Sequence, residues 1–217
     1  MPVRRITNGG RKVIGKFPSL KTGRAVWWES PLERDYLYLL ELDPDVVSYR
    51  EQPLRIHYVL DGDVHKYTPD FLVERTSGRK QIVEVKPEDV AIEEEYQRFS
   101  RAVTSVCEKS GYEFLTVTDR LIRTPPRLDN VKLLSRYARI AILPEHLIEC
   151  RRFFVECREP SLGLLAEYLS AKGLGKQVAY ALAHRGVVAV DLNLPLTEHT
   201  PVAWLSRNHC GTDGVPA

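Results

Sequence analysis

Two alternating apolar–polar runs, residues 65–74 and 79–85, flank the turn Thr76-Ser77-Gly78 and read as a β-hairpin. Period-two alternation sends successive side chains to opposite faces, so each run has one face to bury. Directly after it, Ile92, Tyr96, Phe99, Val103 and Val106 recur at 4-3-4-3 spacing, which predicts a helix with one apolar face. A hairpin followed by such a helix constrains the chain to an α/β arrangement. Ser30, Pro31 and Glu33 open an earlier helix as N-cap, first helical residue and third helical residue, and Asp43-Pro44 stops it. Val46–Arg50 and Leu54–Leu60 are β-rich runs, Glu113–Val117 is a further strand, and Asn130–Arg139 is helical and basic. The order is helix, three or four strands, helix, strand, helix, and its natural packing is a mixed sheet flanked by helices.

The 217 residues allow one or two domains and a core that needs no disulfide staples. Residues 1–28 have weak periodicity and several Gly or Pro breakers, and are expected to be an extended basic arm. A folded domain is expected over 29–142, with a boundary at Leu143-Pro144. Helical patterns at 145–157, 161–171 and 175–184 precede strand-like runs at 187–192 and 201–205. Three helices and a ribbon are the element order of a winged helix, expected over 143–205, with a tail at 206–217. Cys107, Cys150, Cys157 and Cys210 form no CxxC pair and no zinc spacing, so reduced thiols are expected. No apolar run approaches the roughly 18 residues of a membrane span, and no apolar h-region follows Arg4-Arg5. A cytoplasmic location is expected.

Charge is uneven although the net value is only +2. Residues 1–28 carry seven basic side chains (Arg4, Arg5, Arg11, Lys12, Lys16, Lys21, Arg24) and no acidic one. Residues 29–117 carry 19 acidic and 11 basic side chains. Arg120, Arg123, Arg127, Lys132, Arg136 and Arg139 then make a second basic stretch. Basic segments on either side of an acidic block suit a polyanion held over an acidic centre, and these thirteen residues are the candidate DNA contacts.

The sharpest chemical feature is Tyr67-Thr68-Pro69-Asp70 followed by Glu84-Val85-Lys86. Hairpin pairing can set Asp70 beside Glu84, with Lys86 on the face of Glu84 and Val85 turned to the core. Two adjacent carboxylates repel each other, and Mg²⁺ relieves that repulsion. A lysine two residues on can hold an attacking water or the developing charge on phosphorus, so the set suits metal-assisted phosphodiester hydrolysis. Glu33 is the candidate third carboxylate, although Ser30-x-x-Glu33 is also a capping box. Glu29 is a weaker alternative. The six histidines show no ligand spacing. Trp27-Trp28 can stack on a base but more often joins a core or clamps an arm to its domain.

Taken in order, Ser30-Pro31-Leu32-Glu33, Val47-Ser48-Tyr49-Arg50-Glu51-Gln52-Pro53, Tyr67-Thr68-Pro69-Asp70-Phe71 and Val83-Glu84-Val85-Lys86, then Asn130, Leu133 and Arg136-Tyr137, resemble the N-terminal domain of the TnsA family over roughly residues 25–142. That family supplies the endonuclease subunit of heteromeric transposases. The resemblance implies a restriction-endonuclease-like fold of the PD-(D/E)xK type. It assigns Glu33, Asp70 and Glu84 as metal-binding carboxylates, the Val85 carbonyl as a further metal ligand and Lys86 as the catalytic lysine. It implies Mg²⁺, with Mn²⁺ as a substitute, and double-stranded DNA at the ends of a mobile element as substrate. It implies 5′-end cleavage beside a DDE transposase subunit that cuts and joins the 3′ ends. A winged-helix-like C-terminal domain would meet an AAA+ regulator. Competing readings are a restriction, repair or junction-resolving nuclease on the same fold, and a DNA-binding adaptor without turnover.

Overall fold

The computed structural model describes residues 13–205. The expected tail, and Arg4, Arg5, Arg11 and Lys12 of the expected arm, lie outside the described residues. Two compact units divide the chain between Leu128 and Asp129.

The first unit contains, in chain order, β1 (Gly15–Pro18), β2 (Ala25–Trp28), α1 (Pro31–Leu42), β3 (Val46–Glu51), β4 (Ile56–Leu60), β5 (Asp63–Tyr67), β6 (Phe71–Arg75), β7 (Lys80–Lys86), α2 (Glu88–Ala91), α3 (Glu94–Lys109), β8 (Glu113–Thr118) and α4 (Asp119–Ile122). The Ser30 hydroxyl accepts the Glu33 N–H at 3.1 Å, which caps α1 as its spacing predicts. The central sheet runs β3-β6-β7-β8. β3, β6 and β7 pair antiparallel, and β8 pairs parallel with β7. A parallel pair needs a crossover connection, which α2 and α3 provide. This mixed sheet flanked by helices is the arrangement of a restriction-endonuclease-like fold.

Alternation along the strands makes two cores. Phe71, Val73, Val83 and Val85 meet Leu37 and Leu40 of α1 and also Phe17, Val26 and Trp28 of β1 and β2. Ile82 belongs to the other core, with Val103 and Cys107 of α3, Ile56 and Phe114. Cys107 is thus buried, as is Cys150 of the second unit, and Cys107, Cys150 and Cys157 are free thiols.

Three expectations are corrected here. Residues 15–28 are a folded hairpin rather than part of an extended arm, with Gly15 paired to Trp28 and Pro18 to Ala25. Breakers read as signs of an arm are its turn and its close contact. Gly23 takes a positive φ of 67°, and a Cβ on Gly15 would stand 2.2 Å from the Trp28 ring. The run 65–74 is two strands rather than one. Pro69, with no N–H to give a ladder, separates β5, which pairs with β4, from β6, which pairs with β7. Ile92 falls between α2 and α3 and is 70% exposed, so it does not join the apolar face of the helix.

Across the boundary runs α5 (Arg127–Ser135), followed by α6 (Pro144–Glu156), α7 (Leu162–Ala171), α8 (Gln177–His184), β9 (Val188–Ala189) and β10 (Ala203–Trp204). The second unit begins well before Leu143-Pro144, and buried Asn130 gives the reason. Its side-chain amide donates to the carbonyls of Leu192 and Leu194, both at 2.8 Å, and its oxygen accepts the Leu196 N–H at 3.2 Å. The two expected strand runs pair at only two residues each, with an isolated bridge between Ser161 and Pro201. Three helices and this short ribbon surround Cys150, Leu165, Leu169, Val178 and Leu182. No helix among the described residues is long and apolar enough to cross a membrane.

Buried Glu41 fastens the first hairpin to the helix layer. Its carboxylate accepts from the Ser19 hydroxyl at 2.8 Å, the Leu20 and Lys21 N–H groups at 2.7 and 3.1 Å, and the Tyr49 hydroxyl at 2.5 Å. Glu41→Ala strands several buried donors at once and is expected to destabilise the protein by about 3 kcal/mol or more. Urea unfolding with an unchanged m-value checks this; a loss below about 1 kcal/mol contradicts it.

Candidate active site

The pairing of β6 with β7 runs to Phe71 opposite Val83, and one further step brings Asp70 to Glu84. Asp70 stands just outside β6, and its Oδ2 accepts the Val85 N–H at 2.8 Å. Glu84 is only 5% exposed. Its Oε1 lies 2.9 Å from the Lys86 ammonium, and its Oε2 accepts the Tyr67 hydroxyl. Period two along β7 thus sets Glu84 and Lys86 on one side while Val85 enters the α1 core. From the start of α1 comes Glu33, whose Oε2 accepts the Glu29 N–H at 2.8 Å. The capping-box geometry is shifted by one residue: the helix cap uses Ser30, and the returning carboxylate reaches Glu29. Glu33, Asp70, Glu84, Val85 and Lys86 line one pocket with Glu29, Lys66, Tyr67, Asp119 and Arg123.

The electrostatics of the pocket are those of partly relieved negative charge. Asp70 titrates well above the usual carboxylate range, first because of burial and then because of Glu84 and Glu33; the Val85 N–H and Lys86 only partly offset this. Glu33 is also raised, by burial and by Glu29 and Glu84, against the opposing bonds from Glu29 and Ser30. Burial pulls the Lys86 ammonium down, but Glu84 and Asp70 outweigh it and the net shift is upward. Tyr67 is raised by burial and by its bond to Glu84, so it stays a donor.

The donor chemistry fits a hard divalent cation: carboxylates that repel one another, a backbone carbonyl at Val85, and no sulfur or imidazole in the lining. Among the described residues no three His, Cys, Asp or Glu side chains are gathered into a ready-made cage. Each carboxylate is engaged by a protein donor. Glu33, Asp70 and Glu84 would hold the cation after exchanging some of those bonds.

The candidate DNA contacts divide. Arg123 lines the pocket, its Nε held 3.0 Å from buried Asp35. Lys16, Arg120 and Arg127 are exposed on the first unit, Lys16 lying 4.4 Å over the Trp27 ring. Lys21 and Arg24 make bonds within the fold. Lys21 Nζ donates to the carbonyls of Asp43 and Val46, and Arg24 grips Glu51 with two bonds of 2.8 and 2.5 Å. Arg136 and Arg139 are exposed and Lys132 half-buried on the second unit. Trp28 is core and Trp27 half-buried.

Sequence reading missed Tyr67 and Gln52 as parts of this neighbourhood. Tyr67 was quoted only as a neighbour of Asp70; its place at the end of β5, beside the Pro69 break, was the available signal. Gln52 stands within the stretch 47–53 of the resemblance, but nothing local marks its positive φ or its side-chain bond to Glu29.

Residues 43–119 match the family described as TnsA-like endonuclease N terminal. The match covers Asp70, Glu84 and Lys86 but not Glu33 or Arg123. No curated protein matches the chain.

A carboxylate whose folded pKa is raised binds its proton more tightly folded than unfolded, so it removes stability as pH rises from the unfolded value through the folded one. Asp70→Asn keeps an oxygen for the Val85 N–H and deletes the charge. Without divalent cations it is expected to raise Tm by a few degrees at pH 8 and to lose that advantage near pH 4. Thermal melts at the two pH values decide, and a Tm at pH 8 equal to or below that of the unsubstituted protein contradicts the electrostatic account.

Proposed function

We propose that this chain, a TnsA-family endonuclease through residues 43–119, hydrolyses the 5′ ends of a mobile DNA element in a Mg²⁺-dependent reaction of the PD-(D/E)xK type. The observation that carries the reading is the meeting of Glu33, Asp70 and Glu84 with Lys86 in one pocket, where burial and then the charges of Glu84 and Glu33 drive the Asp70 pKa up. A divalent cation bound there supplies Lewis acidity and a nucleophile at neutral pH.

The chain's own groups do the remaining work. Lys86 stays charged, bonded to Glu84, and is placed to orient an attacking water or to stabilise charge on the phosphorus. Tyr67 donates to Glu84 and fixes its carboxylate. Arg123, oriented by buried Asp35, presents a cation at the same pocket for the DNA backbone. Exposed Lys16, Arg120 and Arg127 add backbone contacts.

In this proposal a DDE transposase subunit cuts and joins the 3′ ends, and the two cuts release the element. The second unit is a winged-helix-like domain that meets an AAA+ regulator. Support for it is its element order, three helices and a ribbon with a bridge before α7.

The test is cleavage of end-labelled element DNA in Mg²⁺ with the partner transposase present. Asp70→Ala and Lys86→Ala are each expected to lower 5′-end cutting about 100-fold or more while 3′-end cutting persists. Persistent 5′ cutting in Asp70→Ala moves the site elsewhere. Absence of 5′ cutting by the unsubstituted protein, with 3′ cutting intact, favours a DNA-binding adaptor. Cutting without any transposase favours a stand-alone nuclease.

A further inference from the structure

We propose that Gln52 is a positioning residue for this pocket: it holds Glu29 in place as a fourth carboxylate of the site and fixes the start of the strand that follows Asp70. The inference rests on reading the pocket as a cation-binding hydrolytic site. Three observations at one residue carry it. The Gln52 side-chain amide donates to Glu29 Oε1 at 2.8 Å. Its backbone N–H donates to the Asp70 carbonyl at 2.8 Å. Its amide oxygen is buried and has no hydrogen-bond partner among the described residues, on a residue only 6% exposed. Gln52 therefore clasps the residue before the α1 cap to the residue before β6. Those are the two chain segments that bring Glu33 and Asp70 into one pocket.

The backbone adds to the case. Gln52 has φ of 42°, in the left-handed region that favours glycine. A strained φ and an unmet buried amide oxygen both cost free energy, and such costs gather at functional sites. A residue that merely turned the chain after β3 would be better served by glycine. Glycine, however, cannot hold Glu29. Glu29 lines the pocket with Glu33, Asp70 and Glu84, and its charge raises the Glu33 pKa. Fixing it there adds oxygen ligands at the side of the pocket formed by the start of α1.

Substitution in the full chain separates the turn from the clasp. Gln52→Gly keeps a backbone suited to positive φ but removes the clasp. It is expected to melt at or above the temperature of Gln52→Ala, yet to bind Mn²⁺ about tenfold more weakly than the unsubstituted protein by calorimetry. Cleavage should lose kcat in the same variant with little change in KM for DNA. Glu29→Gln keeps an oxygen for the Gln52 amide and removes the charge, so Mn²⁺ affinity should fall while Tm holds. The double variant Gln52→Gly with Glu29→Gln should bind Mn²⁺ no more weakly than the weaker single variant. Unchanged Mn²⁺ affinity and kcat in Gln52→Gly would overturn the inference and leave Gln52 a turn residue. Asp70→Asn runs alongside: if it too binds Mn²⁺ normally, the reading of the pocket itself fails, whereas loss of binding in Asp70→Asn alone overturns only the role of Gln52.

Discussion

Antiparallel pairing of β6 with β7 is the constraint on which the site depends. Its register sets Asp70 against Glu84 at the end of the sheet, and the core residues Phe71 and Val83 in the next step hold that register. A slip by one residue would turn Phe71 and Val73 away from α1 and Asp70 away from Glu84 together. The fold's apolar energy thus enforces a contact that electrostatics alone opposes. Burial first, and then the neighbouring carboxylates, push the Asp70 and Glu33 pKa values up, and a hard divalent cation, as proposed for this pocket, would relieve that repulsion.

The first hairpin serves the same end from the opposite direction. β1 and β2 add Phe17, Val26 and Trp28 to the core beneath α1. Two buried carboxylates hold them there: Glu41 collects four donors, and Glu51 takes the Arg24 guanidinium and the Trp27 N–H. Residues 29 and 33 follow directly on β2, so the position of the hairpin sets where α1 begins and therefore where Glu33 meets Asp70 and Glu84. Two basic residues that look like DNA contacts by charge, Lys21 and Arg24, also take part in this anchoring. Net charge along a segment says how many cations are present, not which of them a local carboxylate or carbonyl has already engaged.

What the sequence makes legible follows from the range of the forces involved. The α1 cap, the β6–β7 pairing, the α3 apolar face and the strand at β8 are signalled by neighbours within a few residues, and each forms close to its predicted place. Asp70, Glu84 and Lys86 are legible for the same reason, because a hairpin with period-two strands converts their spacing into contact. Beyond the local break at Pro69 and the misplaced Ile92, the misreadings are failures of longer range. The hairpin at 15–28 was hidden because its stabilising partners, Glu41, Tyr49 and Glu51, come later in the chain. The early start of the second unit was hidden because Asn130 bonds to backbone more than sixty residues away. Gln52 was hidden because a positive φ on a glutamine has no local sequence signal.

Glu33 shows why the choice between helix cap and site residue is not a choice. An N-terminal helical carboxylate sits where the N–H groups of the first turn and the helix dipole favour negative charge. The Ser30 cap satisfies the Glu33 N–H, and the Glu29 N–H satisfies one oxygen of the Glu33 carboxylate. These bonds lower its pKa, while burial and the charges of Glu29 and Glu84 raise it further in the opposite sense. The helix end therefore makes it possible to hold a carboxylate where its neighbours would otherwise drive it to accept a proton. Cap geometry is the means by which α1 delivers a third carboxylate to the pocket.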